Sequence, residues 1–343
     1  VPVVHVVLPG DIDDPATPSG GNSYDRRVCD GLVELGWTVR EHGVPGEWPR
    51  PDGPARTGLA GLLAGLPDGT PVLLDGLVAS VVPEVLAGHA GRLRLVALVH
   101  LPMEGDTEAA ALACAAAVVT TSEWTRRRLL DRYRLDPARV HVAAPGVTPA
   151  KPVEGTAAGA RLLCVAAVVA HKGHDVLLRA LAEVPAPWTL DCVGALTRDP
   201  RFAAGLRRLA GDLGLAGRVR FTGPRTGAAL DAAYADADLL VLASRAETYG
   251  MVVTEALARG LPVLATAVGG VPEALGRAPD GDLPGLLVPP DDPAALADAL
   301  RRWLGEPRLR DRLRRAALAR RGTLAGWPAT ATLIAHVLDG VTT

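Results

Sequence analysis

Two carboxylates eight residues apart, Glu247 and Glu255, lie in the stretch SRAETYGMVVTEALARG that runs from Ser244 to Gly260. The apolar runs DLLVLA before it and LPVLAT after it read as buried parallel strands. Glu247 then sits on a loop at the C-terminal end of a strand, where open α/β sheets bind ligands. Gly250, Met251 and Val252 open a helix whose free N–H groups and dipole favour an anion. Glu255 follows about one turn on. A loop carboxylate accepts hydrogen bonds from sugar hydroxyls, and a helix carboxylate can grip a second diol, such as a ribose. The spacing alone is also that of two solvated charges. The strand, glycine and helix around it, Tyr249 within it and the GGVPE turn at 269–273 make it a candidate site.

Three further loops carry reactive side chains. VAAVVAHKGHDVLL places Lys172 after an apolar run. A fixed ammonium there stabilises charge that builds on a departing phosphate. RLVALVH ends with His100 at a strand mouth. The first loop, PGDIDDPATPSGGNSYD, precedes a helix but lacks GxGxxG, and Asp11, Asp13 and Asp14 would repel a dinucleotide. Its Gly20-Gly21 pair allows close backbone approach to a ligand, and Asn22 or a serine beside it is equally an ordinary helix cap. The chain holds two lysines, one asparagine (Asn22), no glutamine and four tyrosines, in a composition rich in alanine, arginine, glycine and proline. Residue types that survive such a bias, among them Asn22, Tyr24, Lys172, Tyr249 and Met251, are candidates for chemical need.

SRAETYGMVVTEALARGLPVLATAVGGVPE resembles the donor-binding signature of retaining GT-B glycosyltransferases, family 4, with Glu247 and Glu255 at its two glutamates. The resemblance implies two Rossmann-like domains facing a central cleft. In that frame Lys172-Gly173 meets the donor phosphates, His100 contacts the donor sugar, and Gly20, Gly21 and Asn22 open the first helix toward the donor. Gly223 marks a strand end that holds the base through backbone groups. Tyr24, Asp75 and Glu104 are candidate acceptor ligands. The catalytic set is Glu247, Lys172 and His100, and the donor set adds Tyr249, Gly250, Met251, Val252 and Glu255. Relatives carry Gly-Arg about five residues before the Lys-Gly, where this sequence has Ala166-Ala167; a phosphate-binding arginine is missing, and Lys172, His171 or another residue must take its load.

The expected reaction is metal-independent transfer of a sugar from a UDP- or GDP-sugar to a small-molecule or lipid acceptor, with retention and no cofactor. Asp11-Ile12-Asp13 is formally Asp-x-Asp but lies in the first loop of such a fold. A catalytically silent sugar-nucleotide-binding protein stays open because of the missing arginine. A dinucleotide-dependent dehydrogenase is disfavoured by the absent GxGxxG, and a glycoside phosphorylase lacks a phosphate-accepting site.

The elements must position these residues. With 343 residues and 48% hydrophobic content the chain fits two domains. Strands and helices alternate, the pattern of an α/β doubly wound sheet. Residues 1–148 read as an N-terminal acceptor domain, 145–159 as a Pro-bearing linker and 159–322 as the donor domain. The last helix, within 325–343, returns to the first by the family pattern. Helices are expected over 22–35, with Val28, Leu32 and Leu35 on one face, and over 80–87. A net charge of −2 excludes a nucleic-acid signature. No apolar run reaches spanning length, and the start VPVVHVVLPG lacks a basic leader, so a cytoplasmic protein with reduced cysteines is expected. Basic helices at 124–134 and 301–321 could touch an anionic bilayer, though solvated faces are the simpler reading.

Overall fold

The computed structural model describes residues 1–14 and 18–342. Residues 15–17 of the first loop lie outside the described residues. Contacts divide the described residues into two units, one comprising 1–14, 19–146 and 325–342, the other Pro18 and 147–324.

The first unit runs β1 (Val3–Pro9), α1 (Gly20–Glu34), β2 (Thr38–Val44), α2 (Gly53–Ala64), β3 (Pro71–Asp75), α3 (Gly76–Ala79), α4 (Pro83–Ala87), β4 (Arg94–Val99), α5 (Asp106–Cys114), β5 (Ala117–Thr120), α6 (Glu123–Arg132) and β6 (Val140–Val142). Its sheet is parallel in the order β2-β1-β3-β4-β5-β6. β3 and β5 are buried throughout and β4 at every residue but the first, which is why they read as unbroken apolar runs.

The second unit runs β7 (Arg161–Val165), α7 (His174–Ala182), β8 (Thr189–Val193), α8 (Pro200–Asp212), β9 (Val219–Gly223), α9 (Gly227–Ala235), β10 (Leu239–Leu242), α10 (Met251–Ala258), β11 (Val263–Thr266), α11 (Val271–Leu275), β12 (Gly285–Val288), α12 (Pro293–Gly305) and α13 (Pro307–Arg321). Its parallel sheet has the order β12-β11-β10-β7-β8-β9. The last helix, α14 (Trp327–Thr342), packs on α1 of the first unit, where Ile334 and Leu338 are wholly buried.

Strand order reverses at β1/β3 in one sheet and at β7/β10 in the other, and such reversals leave a crevice outside the strand C-termini. The loops after β1, β3 and β4, and those after β7 and β10, are therefore the ones placed for ligands.

Two expectations are corrected. The helix expected over 80–87 begins only at Pro83, whose missing N–H suits a first turn, and a separate short helix precedes it, capped by Asp75, which accepts from Leu77 N. Leu35 leaves the buried face of Val28 and Leu32: it is the C-cap, 46% exposed, and Gly36 at φ 88° turns the chain away. The stretch 145–159 carries none of the helices or strands above, yet beyond residue 146 it is fastened to the second unit. Val153 N donates to Arg259 O at 2.8 Å, and Thr156 Oγ1 to the buried Asp238 at 2.8 Å.

Arginines of the two basic helices are largely spent on structure. Arg310 donates to the Trp303 and Ala157 carbonyls, Arg321 to Ala258 and Ala150, and Arg126 to Val140. Among the described residues no helix is long and apolar enough to cross a membrane.

Candidate active site

In the second unit Lys172 and Glu247 meet at the strand reversal. Lys172, in the loop after β7, donates from Nζ to Glu247 Oε1 at 2.7 Å, and Ser244 Oγ donates to the same oxygen at 2.8 Å. The pair is mostly buried, with side chains 21% and 10% exposed. Three devices hold it. Gly173 adopts φ 66° against the Ala243 carbonyl, where a Cβ would overlap backbone. Arg245 clamps Asp175 with two bonds of 2.9 and 2.8 Å and reaches Asp291 at 2.6 Å, while its N–H donates to His171 O at 2.7 Å. Arg245 thus straps the 244–247 loop to the 170–175 loop. Finally Gly269 and Gly270 lie directly under Glu247 and Thr248, and Gly270 N donates to Glu247 O at 3.2 Å.

Gly250, at φ 93°, opens α10 with Met251 and Val252 in its first turn. Glu255 accepts from the Tyr234 hydroxyl at 2.8 Å, Arg259 lies over the Tyr234 ring, and burial pushes the Glu255 carboxyl up. Tyr249 is half-buried, its phenol pushed up to about 12 by burial and then by the Glu273 charge. Gly223 ends β9 at φ 78°, and its carbonyl already accepts from Gly194 N at 3.0 Å.

In the first unit His100 follows β4 and Asp75 ends β3. His100 Nε2 lies 2.7 Å from Asp25 Oδ1 and 3.7 Å from Asp75 Oδ2. Both acids are buried, and these three are the one trio among the described residues whose ligand atoms are close enough to hold a metal ion. Burial would lower the His100 pKa, but the Asp25 charge and hydrogen bond, helped by Asp75, raise it to about 9. Asp75 is raised by burial and then by the Asp25 charge. Gly21 lies beside the ring, where a Cβ would stand 3.4 Å from His100 Cδ2. Asn22 donates to Ile12 O at 3.0 Å and tethers the first loop, while Gly20 begins α1 behind the cap, which is Ser19.

One acceptor candidate is corrected, and a second is found in a surface ion pair. Tyr24 is fully buried: its hydroxyl donates to Ala143 O at 2.8 Å, and its ring meets His100 and Trp327 edge to face, so no phenol is left for a ligand. Glu104 is paired with Arg128 at 2.7 Å, and its loop is tied down by the buried Glu108, which accepts from the N–H groups of Met103 and Glu104. Asp25, Ser244, Arg245 and Asp175 were missed in the sequence. Only Asp25 had a local signal, four residues after Gly21 on one helix face.

A raised folded-state pKa gives stability that is complete below the ordinary histidine value of 6.5 and is lost as pH rises through about 9. Asp75, also raised, acts in the same direction from 3.8 toward about 8. The thermal midpoint is expected to fall between pH 6.5 and 9 at fixed ionic strength, and a rise across that window would contradict the ion pair.

Residues 159–306 match the family model of glycosyl transferases group 1. The match lies within the second unit, which resembles the group 1 glycosyltransferases. A D-inositol 3-phosphate glycosyltransferase of Frankia alni is 37% identical over 236 residues, 60% of this chain and 54% of that protein. One of Thermomonospora curvata is 34% identical over 271 residues, 69% of this chain and 62% of the relative. The chain thus spans a little over half the length of these curated relatives. Three solved structures share its GT-B fold: sucrose-phosphate synthase of Thermosynechococcus elongatus (TM-score 0.78, 22% identity, 99% of both chains), a glycosyltransferase of Rickettsia africae (0.76, 16%, 99% and 98%), and Anabaena HepE in complex with UDP and glucose (0.76, 17%, 99% and 100%).

Ala166-Ala167 stand where the resemblance led an arginine to be expected. The loop after β8 is zipped to this stretch, with Ala166 N donating to Val193 O at 3.0 Å and Val168 N to Ala195 O at 2.9 Å. Arg198 follows on that loop. His171 is held down first by burial, then by the Lys172 charge, with Arg198 adding to it.

Proposed function

We propose that the chain moves a glycosyl group from a UDP- or GDP-sugar to a hydroxyl acceptor with retention of anomeric configuration and without a metal ion. The observation that carries this is the Lys172–Glu247 pair at the strand reversal of a group 1 donor unit. The second unit takes the donor and the first the acceptor. Lys172 meets the β-phosphate, Arg198 stands in for the missing arginine, and the α10 N-terminus adds partial positive charge. Glu247 accepts from sugar hydroxyls. Glu255 grips the ribose through Oε1, to which nothing donates among the described residues.

The bond from the anomeric carbon to the β-phosphate oxygen breaks, negative charge grows on that phosphate, and Lys172 stabilises it. The acceptor oxygen bonds to the anomeric carbon on the same face, and its proton passes to the leaving phosphate. HepE's complex with UDP and glucose favours a UDP donor. The relatives' name makes D-inositol 3-phosphate the first acceptor to try.

Thermal shift with UDP- and GDP-sugars tests the donor. A true donor at about 100 times its Kd stabilises by roughly 2.7 kcal/mol. Anomeric couplings of the product then read the stereochemistry. No shift with either nucleotide class, or a β-glycoside from an α-donor, would sink the respective half of the reading.

A further inference from the structure

The acids around His100 form an arrangement that the sequence did not disclose. Gly21, Tyr24 and Asp25 stand at i, i+3 and i+4 on α1, so all three face the imidazole: Gly21 beside it, Tyr24 edge-on with ring centroids 5.0 Å apart, and Asp25 bonded to it at 2.7 Å. A carboxylate oxygen only accepts, so the hydrogen in that bond belongs to Nε2. Asp75 Oδ2 lies 3.7 Å from the same nitrogen. Asp25 Oδ2 is buried and has no hydrogen-bond partner among the described residues. The titratable groups that act on the ring are these two acids, Asp25 from α1 and Asp75 from the end of β3.

We propose that Asp25 is the positioning residue of His100: it fixes the hydrogen on Nε2, keeps the ring an imidazolium, and turns Nδ1–H away from the acids as a donor to an oxygen of a ligand bound at the mouth of β4. Asp75 keeps its proton and donates it in a hydrogen bond to Asp25 Oδ2, the buried oxygen without a partner among the described residues. The string of neutral Asp75, anionic Asp25 and cationic His100 has no net charge, which suits a buried site where an unpaired ion is costly. The directions of the Asp75 and His100 shifts agree with it. An imidazolium cannot take a proton from an acceptor hydroxyl. His100 therefore serves as a hydrogen-bond donor and leaves the acceptor proton to the departing phosphate.

The identity of the ligand rests on the glycosyl-transfer reading, whereas the ring's state does not. The Hε1 resonance of His100, assigned from the spectrum of His100→Gln, is titrated in the full chain. The expected midpoint lies well above the ordinary 6.5. Asp25→Asn lowers it by about one unit or more, and Asp75→Asn, whose amide can still donate to Asp25 Oδ2, lowers it less. With the donor found by thermal shift, Asp25→Asn lowers kcat roughly tenfold with KM little changed, and the alkaline limb of the kcat profile moves down with the midpoint. Asp25→Glu restores part of both.

A wild-type midpoint near 6.5, or one unmoved in Asp25→Asn, overturns the proposal. So does a saturable response of the His100 ring to micromolar zinc or manganese, which would make the trio a cation site. If Asp25→Asn fails to fold, the wild-type and Asp75→Asn titrations decide by the same criteria. Calorimetry with UDP on the same samples separates the two readings: a folded chain that binds no UDP or GDP fails as a nucleotide-sugar transferase, and the ring titration is judged regardless.

Discussion

Lys172→Ala is expected to lower turnover about 100- to 1,000-fold while donor binding weakens far less. The reason is timing. In the resting protein the ammonium is balanced by Glu247 at 2.7 Å, so a ground-state donor gains little new attraction from it. As the glycosidic bond breaks, the β-phosphate acquires charge, and an ammonium already held by the Arg245 strap needs no reorganisation to meet it. Lys172→Arg keeps the charge but not the compact geometry and should recover only part of the rate. Steady-state kcat and the donor Kd, measured separately, check this. A mutant with near wild-type kcat would show that Arg198 or another group neutralises the leaving phosphate.

Gly269→Ala is expected to destabilise the second unit by about 3 kcal/mol or more and to abolish donor binding. A Cβ at 269 would overlap the Glu247 carbonyl, a backbone atom that cannot rotate aside, and the φ of 53° is itself strained for alanine. Relief requires the Glu247 loop to lift, which parts Glu247 from Lys172. Gly281→Ala is the control. It has φ 91° but nothing within 4 Å of the new methyl, so it loses only the conformational term of about 1 to 2 kcal/mol. Urea unfolding of both variants makes the comparison, and equal losses would remove the packing argument.

The meeting of Lys172 and Glu247 was legible because their placement is local: each follows an apolar strand by a short distance, and the strand order then brings the two loops together. Most helix and strand positions were legible for the same reason, since fully buried parallel strands leave unmixed apolar runs. Asp25 was not. It reads as one more charge on an amphipathic helix until the fold brings His100, far along the chain, against the face it shares with Gly21. Tyr24 misled in the opposite way. Its scarcity suggested chemistry, but its hydroxyl is used by a carbonyl 119 residues later. The Arg245 strap was invisible because its partners Asp175 and Asp291 come from other loops, each of which looked like an ordinary solvated acid.

Apart from Pro18, the described residues of the second unit form one continuous stretch, 147–324, whereas the first is assembled from both ends, with α14 supplying Ile334 and Leu338 to the core that holds Tyr24, Val28 and Leu32. During synthesis the order of completion is therefore the reverse of the order of translation. The later-made unit can close as soon as residue 324 clears the ribosome. The earlier one, its α1 face bare, waits for the final helix. Nascent chains stalled just short of α14 should thus present a finished second unit beside an unfinished first, with the seat of His100 already translated but not yet backed by Trp327.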